Sequence, residues 1–235
     1  MGGLALVLAA VLFIAVFSYL AATFHYPDVL DGPADQVLPN LLALGSTGRA
    51  VWALYGLIPL LLIPTAAGTE LLLADRAPGR ARAATLLAYT AALTMMLGLL
   101  RWPTLQWALA TAYTTTPDPT AHATLAALFD GFNLYLGNYL GEFVGELALN
   151  LFFLLTALAT RGDARFPRWT APAGVVAALL GLIALWRNVT PAVAMIAEVE
   201  NSVLPVWMIV FGVLLARAAR SDATSPPTIP SPSRP

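Results

Sequence analysis

The chain has 235 residues, 59 % apolar and 11 % charged, with a formal net charge of −1. A soluble domain carries about 25 % charged residues, so with a mean hydropathy of +0.75 most of this surface must face lipid, and no clustered basic face for nucleic acid is expected. The chain has no cysteine, and all 12 basic residues are arginine, which excludes disulfides, thiolate metal centres, Schiff-base chemistry and a P-loop lysine.

A span needs about 20 mostly apolar residues to cross a ~30 Å hydrocarbon core. Six stretches qualify in chain order: Gly2 to Phe24; about Ala50 to Leu73, with Pro59 and Pro64 as kinks; Ala83 to Leu100, continuing past Pro103 toward Tyr113; about Asn138 to Thr160; Ala171 to about Arg187; and about Val203 to Ala216. Helices are the only reading, since open sheet edges leave backbone groups unpaired in lipid. The fold class is therefore an all-α integral membrane protein, a six-transmembrane-helix bundle.

Arg76, Arg80 and Arg82 lie between spans two and three, Arg161, Arg165 and Arg168 between four and five, and Arg217 and Arg220 after span six. With both termini cytoplasmic all eight fall inside, leaving Arg49, Arg101 and Arg187 on the other side, which predicts an N-in/C-in topology. Span one lacks the basic n-region of a signal peptide and is longer than an h-region, so it is expected to be retained. Position 6 is leucine, which is no myristoylation signal.

The outer loops are the longer ones. Gln36 to Leu42 is a short amphipathic run, and Thr120 to Leu136 has an apolar helical stripe; both are expected as interfacial helices. Residues 1–220 form one transmembrane domain. Residues 221–235 hold five prolines and four serines and are predicted to be a disordered cytoplasmic tail.

The strongest local signal opens span four. Gly137, Gly141 and Gly145 repeat every four residues as a helix-packing groove, and Asn138, Glu142, Glu146 and Asn150 form a polar stripe beside it. At ~1.5 Å per residue from the cytoplasmic helix ends, Glu146 sits about 22 Å up, Glu142 and Arg101 about 28 Å, and Arg187 roughly 25 Å. Two carboxylates and two guanidinium groups from three helices thus reach one level, and mutual pairing is expected, because an unpaired charge there costs at least about 2.5–3.5 kcal/mol.

Three readings of that level stand side by side. The cluster of Arg101, Glu142, Glu146 and Arg187, with Asn138 and Trp102, only locks helix packing; or Arg101 and Arg187 snorkel to the headgroups beside Trp102 and Trp186; or the group forms a pocket for a proton, an ion or a small ligand. Glu70, Asp75 and Asp163 read as solvated helix-end charges. His25 and His122 fall on the outer side without a spacing that demands convergence, and no cofactor or metal is expected. No nucleophile–base, metalloprotease or ATPase motif is present, so no catalytic residue is assigned.

Three passages carry a resemblance: Tyr26-Pro27-Asp28-Val29-Leu30 after span one, Leu97-Gly98-Leu99-Leu100-Arg101-Trp102-Pro103 closing span three, and Gly137-x-x-x-Gly141-Glu142-x-x-Gly145 opening span four. Their order and spacing resembles the bacterial multi-pass membrane family called "domain of unknown function 4386", with Arg101, Trp102, Gly141 and Glu142 as matching positions. The resemblance implies a six-helix bundle in a bacterial cytoplasmic membrane and no established activity, substrate or cofactor. Three functions compete: a binding or transport-like protein using the charged level; a structural or accessory protein whose glycine groove recruits a membrane-protein partner or a second copy; and, last, an intramembrane enzyme with Glu142 or Glu146 as acid/base.

Overall fold

In the computed structural model, residues 1–27, 29 and 32–224 are described, with side chains to 221. Ten α-helices carry the described chain: α1 Gly2–Phe24, α2 Ala34–Ala43, α3 Gly45–Leu57, α4 Leu62–Leu73, α5 Pro78–Leu100, α6 Trp107–Thr115, α7 Pro119–Phe132, α8 Gly145–Ala159, α9 Thr170–Ala184 and α10 Ala194–Thr224. No strand occurs among the described residues. Joined end to end they give six helical rods long and apolar enough to cross a membrane: Gly2–Phe24, Gly45–Leu73, Pro78–Thr115, Pro119–Ala159, Thr170–Asn188 and Pro191–Ser221. The protein is an all-helical, membrane-type bundle.

Local chemistry sets the helix ends. His25 closes α1 in the left-handed region (φ 54°) and its N–H donates to Leu20 O, a conformation histidine tolerates better than most side chains. Gly45 (φ 63°) turns the chain from α2 into α3, where no side chain would be tolerated without strain. Pro119 takes the first position of α7 and the Asp118 carboxylate accepts from Thr120 N at 3.0 Å, a start signal built from a preset φ and an N-cap.

Prolines shape two rods. Pro59 lies in a 3-10 turn, Ile58–Leu61, between α3 and α4. Pro103, which has no N–H to donate, lies in a π-helical stretch, Trp102–Gln106, where Gln106 N donates to Arg101 O at 2.8 Å. A second π stretch, Asn133–Val144, joins α7 to α8 without any proline.

Each rod packs on its neighbours in the sequence and the last returns to the first, closing a ring in the order α1, α4, α5, α8, α9, α10. Close approach is made by small residues. A Cβ on Gly3 would meet α10 at Gly212 and Ala216, one on Gly2 would meet α4 at Gly68, and one on Gly98 of α5 would lie 2.6 Å from the Gly141 Cα. Outward faces instead carry exposed Leu4, Leu8 and Val11 on α1, Leu86, Leu93 and Leu97 on α5, and Val176, Leu179 and Ile183 on α9.

Two apolar cores fill the ring. One, near the arginine-rich end, includes Leu6, Leu73, Phe152, Phe153, Trp207 and Phe211. The other includes Phe24, Trp52, Trp102, Phe129, Val37, Leu38 and Leu41. The apolar face expected to lie on a membrane surface in α2 is therefore spent on protein: Val37, Leu38 and Leu41 are buried, and α2 packs on α6 and α7.

At the arginine-rich end, Asp163 is buried (its side chain 1 % exposed), with Arg165 Nη2 at 2.7 Å and Arg76 Nε at 3.8 Å; Arg165 also reaches Asp75 at 3.4 Å. The expectation of a solvated Asp163 is corrected, because a buried carboxylate must be met by donors, and this one clamps the loop after α4 to the loop after α8. The helix α10 runs through Thr224, so residues 221–224 of the expected tail are helical; residues 225–235 lie outside the described residues.

Candidate functional site

Arg187 stands on a short 3-10 turn, Leu185–Asn188, that ends the fifth rod. Its Nη1 donates to Glu146 Oε2 at 2.8 Å, and its Nη2 donates to Glu146 Oε1 at 2.5 Å and Glu142 Oε2 at 3.1 Å. One guanidinium thus bridges carboxylates from the π stretch and from the first turn of α8. All three side chains are half-buried or more, so the hydrogen bonds offset the cost of removing their charges from water.

Arg101 behaves differently. It is 4 % exposed, its Nε donates to Asn133 Oδ1 at 3.0 Å, and its Nη1 donates to Gly98 O at 2.6 Å. Its guanidinium carbon lies 5.2 Å from the centre of the Trp102 ring, within cation–π range. No described carboxylate lies within ion-pair distance of it. Gly137 makes the room: a Cβ there would collide with the Arg101 guanidinium.

The structure thus brings Arg187, Glu142 and Glu146 into contact and leaves Arg101 beside them on neutral oxygen acceptors. Snorkelling of Arg101 beside an interfacial Trp102 is overturned, since Trp102 is fully buried and stacks on Trp52 at 4.8 Å. Trp186 is half-exposed and meets Phe143 edge-on. The three glycines all face the third rod of the same chain: Gly137 meets Arg101, Gly141 meets Gly98, and Gly145 meets Met95. Asn150, the last of the polar stripe, donates from Nδ2 to Glu146 O at 2.9 Å, and its amide fills the space left by Gly181.

Between the two apolar cores lies a cavity of about 490 Å³. Arg101, Glu142, Glu146 and Arg187 contribute to its wall, as do Asn138 and Trp102. Phe13, Phe17, Tyr26 and Tyr55 give it an aromatic side. Such a volume, mainly apolar with a few converging polar groups, is the usual form of a small-molecule site.

Sequence reasoning missed Asn133, Gln106 and Glu200. Gln106 Nε2 donates to Asn133 Oδ1 at 3.2 Å, so the amide that receives Arg101 is itself oriented. A polar residue one turn after Pro103 was the available signal for Gln106. Glu200 is 4 % exposed and lines the cavity. It escaped because hydropathy starts span six at Val203, whereas the helix begins at Ala194 and carries Glu200 almost two turns inside.

His122 Nε2 lies 2.7 Å from Thr116 O, and its ring stacks on Tyr113. No group of three or more His, Asp or Glu side chains placed to hold a metal occurs among the described residues.

No curated protein and no solved structure matches this chain. A family model, Domain of unknown function (DUF4386), matches residues 1–212, a stretch that takes in all the cavity-lining residues named above. The chain belongs to that family.

Proposed function

We propose that this is a multi-pass protein of a bacterial cytoplasmic membrane, both termini inside, whose central cavity binds and passes on a small ligand, ion or proton. The observation that carries the reading is a charged level in the wall of a partly open cavity. Arg187 is forked onto Glu142 and Glu146 in the wall of the cavity, not in a packed interface. Intramembrane charges that face a water-filled cavity commonly mark substrate and ion paths. Glu198 and Asn201, both exposed, also line the cavity and give it a polar rim near the start of α10, away from the arginine-rich end. The breaks at Pro59 and Pro103, and Pro205 inside α10, supply places where rods can bend.

The topology rests on eight arginines at one end and on the Asp163–Arg165–Asp75 clamp that holds two of the loops carrying them together. α2 and α7 lie toward the other end, where α2 packs on α6 and α7. The bilayer is the principal partner. The glycine series is already covered within the chain, so it is not the surface that would receive a second copy or another membrane protein.

A structural reading competes on one observation: Arg187 is already satisfied by two carboxylates, as a packing lock would be. The cysteine-free chain separates the two. Ala197→Cys places a thiol in the cavity wall, and the cavity reading requires it to react with a small charged methanethiosulfonate added to the outer side of sealed vesicles. A thiol unreactive from both sides denotes a closed, purely structural cluster.

A further inference from the structure

We infer that Glu200 is the counter-ion for a small organic cation, an ammonium or phosphonium with an apolar body, bound in the cavity against its aromatic side. This rests on the cavity reading above and names the class of ligand that the wall selects.

Three buried or half-buried carboxylates, Glu142, Glu146 and Glu200, face two guanidinium groups, Arg101 and Arg187. Arg187 is engaged by Glu142 and Glu146. Arg101 is taken up by Asn133 Oδ1 and Gly98 O and covered by Trp102. Glu200 has no hydrogen bond or ion pair among the described residues; it feels Arg187 and Glu146 only through space. A carboxylate so placed without a protein partner either takes up a proton or is met by a positive charge from the cavity, and a cation bound there would displace the proton.

The rings at the same level decide the kind of positive charge. Gly212 of α10 packs against Gly3 and Val7 of α1. Glu200 is twelve residues before Gly212, while Phe13 and Phe17 are ten and fourteen residues after Gly3, so on these two antiparallel helices they reach one level. All three line the cavity, together with Tyr26 and Tyr55. A metal ion would want several oxygens at short range, whereas a carboxylate at the level of aromatic rings in the same cavity suits a poorly hydrated organic cation. The 490 Å³ of space admits a ligand of several carbon atoms rather than a bare ion.

The test uses the full chain in detergent with three probes: tetraphenylphosphonium, benzyltrimethylammonium and, as the anionic counterpart, benzenesulfonate. Equilibrium dialysis should show both cations bound and the anion not, with Glu200→Gln weakening the cations at least tenfold and Glu200→Asp restoring most of the loss. Dicyclohexylcarbodiimide labelling of the wild-type protein gives a readout that needs no variant: the cations should slow modification of the Glu200 peptide. Binding of benzenesulfonate alone, cation binding unchanged in Glu200→Gln, or labelling unprotected by the cations each overturns the inference. If Ala197→Cys is reactive and neither cation binds, the cavity reading stands and this one falls. If that thiol is unreactive from both sides, both fall.

Discussion

Arg187 and Glu146 meet fork to fork: Nη1 lies 2.8 Å from Oε2 and Nη2 lies 2.5 Å from Oε1. The pair joins the end of the fifth rod to the first turn of α8, and the same Nη2 reaches Glu142 one turn earlier. Its geometry makes the contributions of the three residues unequal and non-additive.

Arg187→Met should therefore be the most damaging single change at this level. It strands two carboxylates, and breaking a buried pair costs about 3–5 kcal/mol. Glu142→Gln leaves the fork to Glu146 intact and should cost less. The triple change Arg187→Met/Glu142→Gln/Glu146→Gln should recover much of the loss, because no charge is left unpaired. Thermal unfolding in detergent measures all three, and strictly additive losses would contradict the coupling.

The glycines give a graded series. Gly98→Ala pushes a methyl to 2.6 Å from the Gly141 Cα and 2.8 Å from Leu136 O, backbone atoms that cannot swing aside, so it should destabilise by roughly 1–3 kcal/mol. Gly131→Ala meets open space in α7 and should gain up to about 1 kcal/mol from helix propensity. Equal melting temperatures for the two variants would show that α5 does not approach the π stretch as described.

Gly137→Ala should act on Arg101. The added methyl would occupy the guanidinium position and force it off Asn133 and Trp102. Quenching or shift of the Trp102 emission, followed in a variant whose other tryptophans are phenylalanine, reports the displacement; an unchanged spectrum would refute it.

The loop clamp carries a pH dependence. Burial works against the charged form of Asp163, but hydrogen bonds from Arg165 and the charges of Arg165 and Arg76 outweigh it and hold the carboxyl below the usual aspartate value. The native state thus binds this proton more weakly than the unfolded chain. The stabilisation is present above the ordinary aspartate range near 3.9 and is lost as pH falls through the lowered native value. Asp163→Asn should cost about 1.5–3 kcal/mol at neutral pH and flatten the acid limb of the melting curve below pH 5. A variant as acid-sensitive as the wild type would remove Asp163 from that role.

The topology is checked with the same cysteine-free background. Ala77→Cys and Ala164→Cys should be labelled only from the cytoplasmic face and Asp35→Cys only from outside. External labelling at Ala77 would reverse the orientation.

Composition and run length by themselves determined that the chain is a six-rod helical bundle, because transfer of apolar residues to lipid depends on how many lie in a row and not on what they touch. The depth count was enough to bring Arg187 to the level of Glu142 and Glu146, since rise per residue is nearly constant in helices. It could not pair Arg101, whose partners are an amide from the π stretch and a carbonyl of its own helix. Position at a helix end assigned Asp163 to solvent, and hydropathy started the last rod too late, hiding Glu200. Those outcomes depend on which neighbour offers a donor or leaves a gap, as Gly137 does for Arg101 and Gly181 for Asn150. Pairing and enclosure are properties of several helices at once, and only the closed ring decides them.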